Sequence, residues 1–293
     1  MEGIDISQVS RLVEAAIEED VGPGDITSDS VIPKDLQASA VFIAKREGVA
    51  AGIPLVDCIY GRLDPGVLFE ATVAEGTLLK TGTVLGKLAG SARSILTGER
   101  VCLNFLQRLS GIATLTHDFV QRVKGTNVSI LDTRKTTPAW RHLEKYAVRV
   151  GGGDNHRMGL YDQVLLKDNH MKALAASEGL GPAEATVQAI RHARVQTPPG
   201  TFIGVEVTSL EELRAALPEA PDLILLDNMS VDEIRQCVAL VREIKSQKRP
   251  LLEVSGGVSL DNVRWLAETG IDRISIGALT HSAPALDIAL ELE

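Results

Sequence analysis

Six short apolar runs in the second half of the chain constrain its fold more than any other feature. After Gly125, each run is followed by polar residues and then by a segment with helical periodicity; the runs are VSIL, QVLL, TFIGVEV, DLILLDN, PLLEVSGG and DRISIGAL. Alternating helices and apolar strands predict a parallel sheet covered by helices. Polar side chains end every strand, and the active sites of β/α barrels are built at those strand ends. The pattern therefore favours a barrel over an open sheet.

The length of this repeating region limits how complete the barrel can be. A full eight-stranded barrel typically needs about 250 residues, whereas the chain has 293 in all and follows another pattern before Gly125. We therefore predict an α/β protein with an incomplete, open β/α barrel of about six parallel strands, placed at residues 113–281.

The residues before the barrel predict a smaller α+β domain. Residues 6–20 carry apolar positions at helical spacing and end in the breaker VGPGD, which predicts an amphipathic helix. Residues 38–90 contain short β-branched runs separated by glycines, with one helix-like insert, IPLVDCIYGRL. This alternation is typical of a small antiparallel β domain.

The limits of this first domain depend on a helical segment and on the C-terminus. Residues 94–124 have a helical pattern, in which Gly98 and Gly111 are expected to be bends between helices. We assign residues 1–112 to the N-terminal domain, an α+β sandwich. The C-terminal segment 282–293 is expected to form a helix that packs back on it.

Composition excludes several classes of function. With 44% apolar and 24% charged residues, the chain is an ordinary globular protein. No run approaches the roughly 18 apolar residues of a membrane span, and MEGIDISQVSR lacks the basic start of a secretory signal, so we expect a cytoplasmic protein with no membrane partner. A net charge of −9 argues against nucleic-acid binding. The three cysteines indicate neither disulfides nor a thiolate zinc site.

Against this acidic background, residues 132–172 are locally basic. They hold eight Lys and Arg against five Asp and Glu, together with three of the six histidines. The cations are Arg134, Lys135, Arg141, Lys145, Arg149, Arg157, Lys167 and Lys172. Such a cluster in an acidic protein predicts a small anionic ligand.

Two late strands end in small residues that suit a phosphate. Ser255, Gly256 and Gly257 stand between a predicted strand and helix, where bare backbone N–H groups can approach an anion at the helix N-terminus. The next unit adds Gly277 and His281, and paired loops after late barrel strands form phosphate sites. The structural alternative is a tight turn with a capping serine.

Two carboxylates stand at the ends of apolar strands. Glu206 follows FIGV and Asp227 follows LILL, and an unpaired buried charge would be costly at either position. Ribose hydroxyls or a hydrated Mg²⁺ would satisfy them. A structural salt bridge to Lys135 or Lys167 is an equal alternative.

Four further cationic or donor groups need separate interpretation. His156 and Arg157 lie together on a glycine loop, GGGDNHR, within the basic segment, which makes His156 a better donor candidate than an isolated histidine. Arg100 and Arg108 lie in the helical segment before the barrel, where most arginines are solvated or ion-paired. The combined groups suggest transfer of a phosphoribosyl group onto an acidic acceptor.

The motifs that carry these residues resemble, in order and over nearly the whole chain, the quinolinate phosphoribosyltransferase family. They are EEDVGPGDITSD, GERVCLNFLQRLSGIAT, DTRKTTP, GGGDNHRMGLYDQVLLKDNH, VEV, LLDN, EVSGGV and SIGALTHSAPALDI. VEV or LLDN alone would indicate little, but the full set is specific. The resemblance implies decarboxylating transfer of phosphoribosyl from phosphoribosyl pyrophosphate to quinolinate, giving nicotinate mononucleotide for NAD biosynthesis.

The resemblance also implies a role for each matching residue. The two quinolinate carboxylates would be held by Arg134, His156, Arg157 and Lys167. Lys135 would face the pyrophosphate, and Glu206 and Asp227 would bind the ribose hydroxyls and organise Mg²⁺. The 5-phosphate would be bound by Ser255, Gly256, Gly257, Gly277 and His281. Arg100 would enter from the neighbouring subunit of a homodimer or higher oligomer, whereas Arg108 gains no role and is interpreted as structural.

Three alternatives remain open at this point. A nicotinate phosphoribosyltransferase would share the architecture, but its acceptor bears a single carboxylate for four or five cationic and donor groups. A paralogue acting in metal-cofactor metabolism is a weaker alternative. A non-catalytic binding protein would not need both the acids and the phosphate loops.

Overall fold

Residues 3–244 and 249–293 are described by the computed structural model, and the chain divides into two units. Unit 1 comprises Met1–Asp118, Lys135–Gly153 and Gly277–Glu293, and unit 2 comprises Phe119–Arg134 and Asp154–Ile276. Unit 1 takes segments from both sides of the predicted boundary at residue 112, whereas unit 2 lies entirely after it. The predicted domain limits therefore stay a prediction.

The described residues form helices and strands in a mixed order. The helices are α1 (Ile6–Val21), α2 (Ile26–Val31), α3 (Ile53–Leu63), α4 (Ala92–Arg122), α5 (Arg141–Val150), α6 (Asp168–Glu178), α7 (Pro182–Gln196), α8 (Leu210–Ala216), α9 (Val231–Arg242), α10 (Val263–Ala267) and α11 (Ala278–His281), with a 3₁₀ turn at Leu217–Glu219. The strands are β1 (Gln37–Ala44), β2 (Gly48–Val49), β3 (Leu68–Ala71), β4 (Leu78–Leu79), β5 (Val84–Ser91), β6 (Ser129–Leu131), β7 (Val164–Leu166), β8 (Ile203–Val207), β9 (Leu223–Asp227), β10 (Leu251–Ser255), β11 (Arg273–Ser275) and β12 (Ile288–Leu292). No helix of the described residues is long and apolar enough to cross a membrane.

Unit 1 contains a four-stranded antiparallel sheet in the order β12-β1-β5-β3. One face buries Ala40 and Phe42, and the Phe42 ring meets the Phe69 ring edge-on at 6.4 Å. The predicted C-terminal helix at 282–293 is wrong, because Ile288–Leu292 pairs antiparallel with β1 as a strand. The short apolar run could satisfy either pattern, and the open edge of β1 supplies the backbone partners that decide for a strand.

The helical segment before the barrel is one helix, α4, of 31 residues. The bends predicted at Gly98 and Gly111 are therefore wrong. A Cβ atom at Gly98 would lie 2.6 Å from the Tyr60 ring, and one at Gly111 would lie 2.0 Å from the carbonyl oxygen of Pro284. These glycines permit close packing against the helix rather than interrupting it.

Unit 2 contains a six-stranded parallel sheet in the order β6-β11-β10-β9-β8-β7. The first strand along the chain neighbours the last, and the others follow in sequence, which is the circular order of a barrel. The ring lacks only a ladder between β6 and β7, and a single bridge joins Leu131 to Asp154. The predicted open β/α barrel of six strands is confirmed.

The strand register places acidic side chains on one face of this sheet. Glu206 of β8 and Glu253 of β10 both stand beside Leu225 of β9, and Glu253 also stands beside Arg273 of β11. Residues in register on parallel strands point to the same side, and successive residues point to opposite sides. Glu206, Glu253 and, two residues beyond Leu225, Asp227 therefore share one face.

Candidate active site

Asp132 fixes the first two polar segments of unit 2 against each other. Its side chain is fully buried one residue beyond β6, and its carboxylate accepts hydrogen bonds from the Asn155 side-chain amide and, at 2.9 Å, from the His156 backbone N–H. A buried carboxylate is stable only when donors surround it. Asp132 thus ties the GGGDNHR loop to the strand that precedes Arg134.

The His156 ring is enclosed by protein groups. Its Nδ1 accepts a hydrogen bond from the Arg157 backbone N–H at 2.7 Å, so the neutral ring carries its proton on Nε2. That Nε2 lies 3.5 Å from Oε1 of Glu253, and the two side chains are 7% and 0% exposed. Burial raises the pKa of the Glu253 carboxyl, and the Ser275 hydroxyl opposes that rise.

Arg157 is the most buried of the predicted anion-binding cations that the structure places in unit 2. Its side chain donates to the Gln163 carbonyl at 3.0 Å and the residue is 8% exposed. Burial lowers the pKa of the Arg157 guanidinium, and the neighbouring positive charge of Arg134 lowers it further. The positive charge of Arg134 acting on the buried Arg157 guanidinium is the kind of arrangement that an anion stabilises.

Lys167 and Glu206 form an ion pair at the ends of β7 and β8. Lys167 Nζ lies 2.7 Å from Glu206 Oε2, and the Asp168 backbone N–H donates to Glu206 Oε1 at 3.3 Å. The Lys167 side chain is 45% exposed and that of Glu206 only 6%. The salt bridge that the sequence offered as an alternative for Glu206 is therefore present, and it leaves the lysine open to solvent.

Asp227 and the glycines after β10 meet at the next two strand ends. Asp227 stands in register with Ser255 and accepts a hydrogen bond from the Asn228 side chain at 2.8 Å. Gly256 has φ +93°, and a Cβ atom there would lie 2.2 Å from Asn228 Oδ1, so only glycine fits. Burial raises the pKa of Asp227, and the negative charge of Glu206 adds to the rise.

The helix predicted after the phosphate-loop glycines, in SLDNVRWLAETG, is shorter and begins later than the sequence pattern indicates. Helix α10 begins at Val263, and Gly257 has φ +59° in a loop before it. Asn262 shapes that loop, donating to the Gly257 carbonyl at 2.9 Å and accepting from the Ser259 N–H at 2.9 Å. Because these local hydrogen bonds compete with helix formation, a helix N-terminus does not stand directly behind the glycines.

A separate group of predicted residues meets in unit 1. A Cβ atom at Gly277 would lie 2.8 Å from Lys135 Cδ and 3.2 Å from His281 Nε2, so the three residues are neighbours. His281 Nδ1 lies 2.6 Å from the Ser282 hydroxyl. The structure thus brings a cation and a histidine together around Gly277, where a larger residue would displace the Lys135 side chain.

Among the described residues, no contact joins Arg100 to another predicted site residue. It is exposed on α4, and within residues 3–244 and 249–293 it makes no hydrogen bond or ion pair. Arg108, eight residues further along, forms an ion pair with the buried Glu144 at 2.7 Å. The two helical arginines therefore have opposite surroundings.

Sequence reasoning assigned no role to Glu253, Asp132 or Asn228, which hold the predicted residues in place. The signal for Glu253 was a single acid inside an apolar strand, PLLEVS, where burial of a charge requires a partner. Asn228 follows Asp227 directly and has φ +53°, a backbone conformation that Asn tolerates better than most residues.

The family resemblance implies Mg²⁺, and the acidic groups of unit 2 fit an ion held largely by substrate and water. Among the described residues, no group of three or more His, Cys, Asp or Glu could hold a metal. Glu206 and Asp227 nevertheless face each other closely enough that one raises the pKa of the other. Mg²⁺ commonly uses one or two carboxylates together with substrate phosphates.

Comparison with known proteins covers the whole chain. Models of the quinolinate phosphoribosyl transferase family match residues 25–110 with its N-terminal domain and residues 112–291 with its C-terminal domain. The nicotinate-nucleotide pyrophosphorylase (carboxylating) of Mycobacterium leprae is 42% identical over 285 residues, 96% of this chain and 95% of that protein. The probable enzyme of the same name from Bacillus subtilis is 39% identical, covering 97% and 93%. The crystal structure of NadC from Streptococcus pyogenes has a TM-score of 0.90 and 37% identity, covering 100% and 99%.

Proposed function

The chain belongs to the quinolinate phosphoribosyl transferase family, and from that premise we propose that it transfers phosphoribosyl from phosphoribosyl pyrophosphate to quinolinate. The reaction releases pyrophosphate and CO₂ and gives nicotinate mononucleotide. The observation that carries the choice of acceptor is the pair of like charges at Arg134 and Arg157, the latter buried. Such a pair is relieved by an anion with more than one negative charge.

The acceptor is proposed to bind through its two carboxylates to the cations of unit 2. Arg134, Arg157 and Lys167 supply the charge, and guanidinium groups suit bidentate contact with carboxylates. The family resemblance adds His156 to the set, although its two ring nitrogens lie against the Arg157 N–H and the Glu253 carboxyl group. Nicotinate, with one carboxylate, would leave part of this charge unpaired.

The donor is proposed to bind through its phosphates and ribose. Lys135 contacts the pyrophosphate, and the 5-phosphate is bound by small or donor groups: Ser255, Gly256, Gly257, Gly277 and His281. Glu206 and Asp227 accept hydrogen bonds from the ribose hydroxyls. These two carboxylates would also hold Mg²⁺, which when bound neutralises charge on the leaving pyrophosphate.

The proposed residues act on charge that develops during the reaction. The quinolinate nitrogen attacks C1 of the ribose as pyrophosphate leaves, so the sugar becomes positive and the leaving group negative. Glu206 and Asp227 stabilise the positive sugar, and Lys135 stabilises the leaving group. Once the nitrogen is alkylated, the cationic ring stabilises the electron pair left on the ring carbon when the adjacent carboxylate departs as CO₂. A proton from solvent then takes the place of the carboxylate, and no covalent enzyme intermediate forms.

Acceptor choice tests this proposal. With phosphoribosyl pyrophosphate and Mg²⁺, kcat/KM for quinolinate should exceed that for nicotinate by about 10⁴-fold or more, since a site built for paired polar groups rejects a ligand that lacks one. Comparable values for the two acids would overturn the quinolinate assignment, and the absence of any CO₂ or nucleotide product would favour the non-catalytic alternative. Chelating Mg²⁺ should abolish turnover and leave the calorimetric affinity for quinolinate unchanged.

We further propose a homodimer in which Arg100 completes the acceptor site of the partner subunit. Arg100 is exposed and makes no polar contact with a described residue of its own chain. A two-fold dimer presents the same surface of both subunits to each other, so each exposed arginine can serve the other chain.

A further inference from the structure

Arg108 of α4 occupies the centre of a hydrogen-bond circuit that includes two segments of the candidate site in unit 1. Its guanidinium donates to Glu144 Oε1 at 2.7 Å, to the Ala283 carbonyl at 2.9 Å and to the Thr280 carbonyl. The two carbonyls flank His281 on the chain. One planar side chain thus joins α5 to the segment that carries His281.

The second half of the circuit runs through Glu144. This carboxylate is completely buried, and besides Arg108 it accepts from the Thr137 backbone N–H at 3.0 Å and from the Thr137 hydroxyl at 2.9 Å. Thr137 stands two residues after Lys135. Glu144 therefore holds the DTRKTTP segment, and the Arg108 guanidinium supplies the opposite charge that a buried carboxylate requires.

A third contact closes the circuit at Lys135 itself. The Thr280 hydroxyl donates to the Lys135 carbonyl at 2.8 Å and also lies 3.2 Å from the Gly277 carbonyl. Arg108, Glu144, Thr137, Lys135 and Thr280 consequently form one closed path through hydrogen bonds and backbone. The backbone of Lys135 is therefore held at its own carbonyl and again two residues later at Thr137, and its side chain passes over Gly277.

We propose that Arg108 is a positioning residue for donor binding, setting Lys135 against Gly277 and His281 through Glu144 and Thr280. The inference rests on the proposed function, in which Lys135 and His281 contact the phosphates of the donor. It gives a role to a residue that the sequence pattern leaves as an ordinary helical arginine. Arg108 is required for its geometry, because a lysine keeps the positive charge but cannot donate in one plane to Glu144 and to two carbonyl groups.

Arg93 on the same helix provides a matched control. It pairs with Asp29 at 2.7 Å, donates to the carbonyls of Asp29 and Ile32, and its side chain is 26% exposed, against 25% for Arg108. Both arginines therefore bind one carboxylate and two carbonyls. Only the groups bound by Arg108 lie beside proposed site residues.

The test is a double-mutant cycle on the purified full-length enzyme. Arg108→Lys and Arg108→Ala should lower kcat/KM for phosphoribosyl pyrophosphate by about 10²-fold, a typical effect of misplacing a binding group, while the calorimetric Kd for quinolinate stays within about twofold. Lys135→Ala should damage the same parameter. In the Lys135→Ala background, replacement of Arg108 should cost much less than alone, because both changes disable one contact. Arg93→Ala should leave the kinetic constants unchanged.

Each of the other possible results would contradict a specific part of the proposal. Additive losses from Arg108 and Lys135, or equal losses in donor and quinolinate binding, would show that Arg108 serves only the fold. If Lys135→Ala leaves donor kinetics unchanged, the proposed role of Lys135 is wrong and the inference falls with it. Should both Arg108 variants fail to fold, Thr280→Val removes the hydroxyl contacts with the Lys135 and Gly277 carbonyls and leaves Arg108 in place. Unaltered donor kinetics in that variant would overturn the inference.

Discussion

The two sheets of the protein differ in whether their charged side chains are buried or exposed. In the antiparallel sheet of unit 1, Glu70 and Lys87 are cross-strand neighbours with exposed side chains, while the other face buries Phe42. In the parallel sheet of unit 2, Glu206 and Glu253 are 6% and 0% exposed and share one face. The same chain thus builds one sheet without buried charge and one with it.

This difference identifies which carboxylates serve chemistry. Removing a carboxylate from water is costly unless donors or cations compensate, and a sheet that only has to hold a core avoids it. Unit 1 shows that the chain can keep strand acids in solvent. Glu206, buried beside Lys167 at a strand end, is therefore expected to act in binding or catalysis, whereas Glu253 is expected to hold His156.

The largest expected effect comes from neutralising the acids at the strand ends of unit 2. Glu206→Gln and Asp227→Asn should each lower kcat by about 10²–10³-fold, the usual loss when one preorganised group that stabilises transition-state charge is removed. Calorimetry should show quinolinate affinity largely retained. Glu70→Gln, the same chemical change on an exposed strand, is the control and should not alter kcat. Collapse of quinolinate affinity with unchanged turnover would refute the division of roles.

Arg100 tests the contrast between buried and exposed charges, because it is exposed and lies outside the parallel sheet and yet is proposed to act in binding. Arg100→Ala and Arg134→Ala should each be nearly inactive, since each removes a partner of a quinolinate carboxylate. In a shared-site dimer, co-refolding equal amounts should recover about a quarter of wild-type activity, because half the dimers are mixed and each has one intact site. If proven heterodimers remain inactive, Arg100 acts within its own chain or not at all.

The pH dependence of stability tests how far burial governs the carboxyl group of Glu253. Burial raises its pKa in the folded state, so above the ordinary carboxyl pKa the folded protein retains a proton that the unfolded chain has lost. The stabilisation from Glu253 is therefore complete at low pH and is lost as the pH rises through the raised pKa. The side chains of Ser275, Arg273 and Lys167 oppose this rise, and that of Asp132 adds to it.

The measurement is the difference in Tm between Glu253→Gln and wild type, followed from about pH 4 to pH 7. The side chain at position 253 of the variant cannot ionise, so the Tm of the variant should rise relative to that of the wild type as the pH increases. Because the His156 ring faces Glu253 at 3.5 Å and is itself a titratable group, the comparison should be repeated in a His156→Gln background. A difference that stays constant or reverses in that background would show that burial does not govern this carboxylate.

The smallest effect is expected for the exposed pair of the antiparallel sheet. Glu70→Ala and Lys87→Ala should each change the free energy of unfolding by no more than about 0.5 kcal/mol, since exposed cross-strand ion pairs contribute little. Urea denaturation measures this directly. A loss of several kcal/mol would mean that strand charges carry stability in unit 1 as well.

Sequence patterns predicted the elements whose formation depends on local hydrophobic periodicity. The six parallel strands and helix α1 have clear periodicity, and their order along the chain follows from it. The errors fall where a distant segment decides. The C-terminal apolar run became β12 because β1 offered a free edge, and Gly111 remained helical because it admits the backbone of Pro284.

By itself, the sequence determined the chemistry available to the protein: an open β/α barrel with cations, acids and glycines at its strand ends, in motifs specific enough to identify the family. Tertiary structure alone decided which of these groups are paired. Periodicity reports which face of an element is buried, but a salt bridge such as Lys167 to Glu206 depends on strand register across 39 positions of the chain. The same holds for Arg108, whose sequence context matches that of any helical arginine and whose contacts come from segments 36 and 172 residues away. Local propensity cannot encode such partners, because they are brought together only when the chain closes its core.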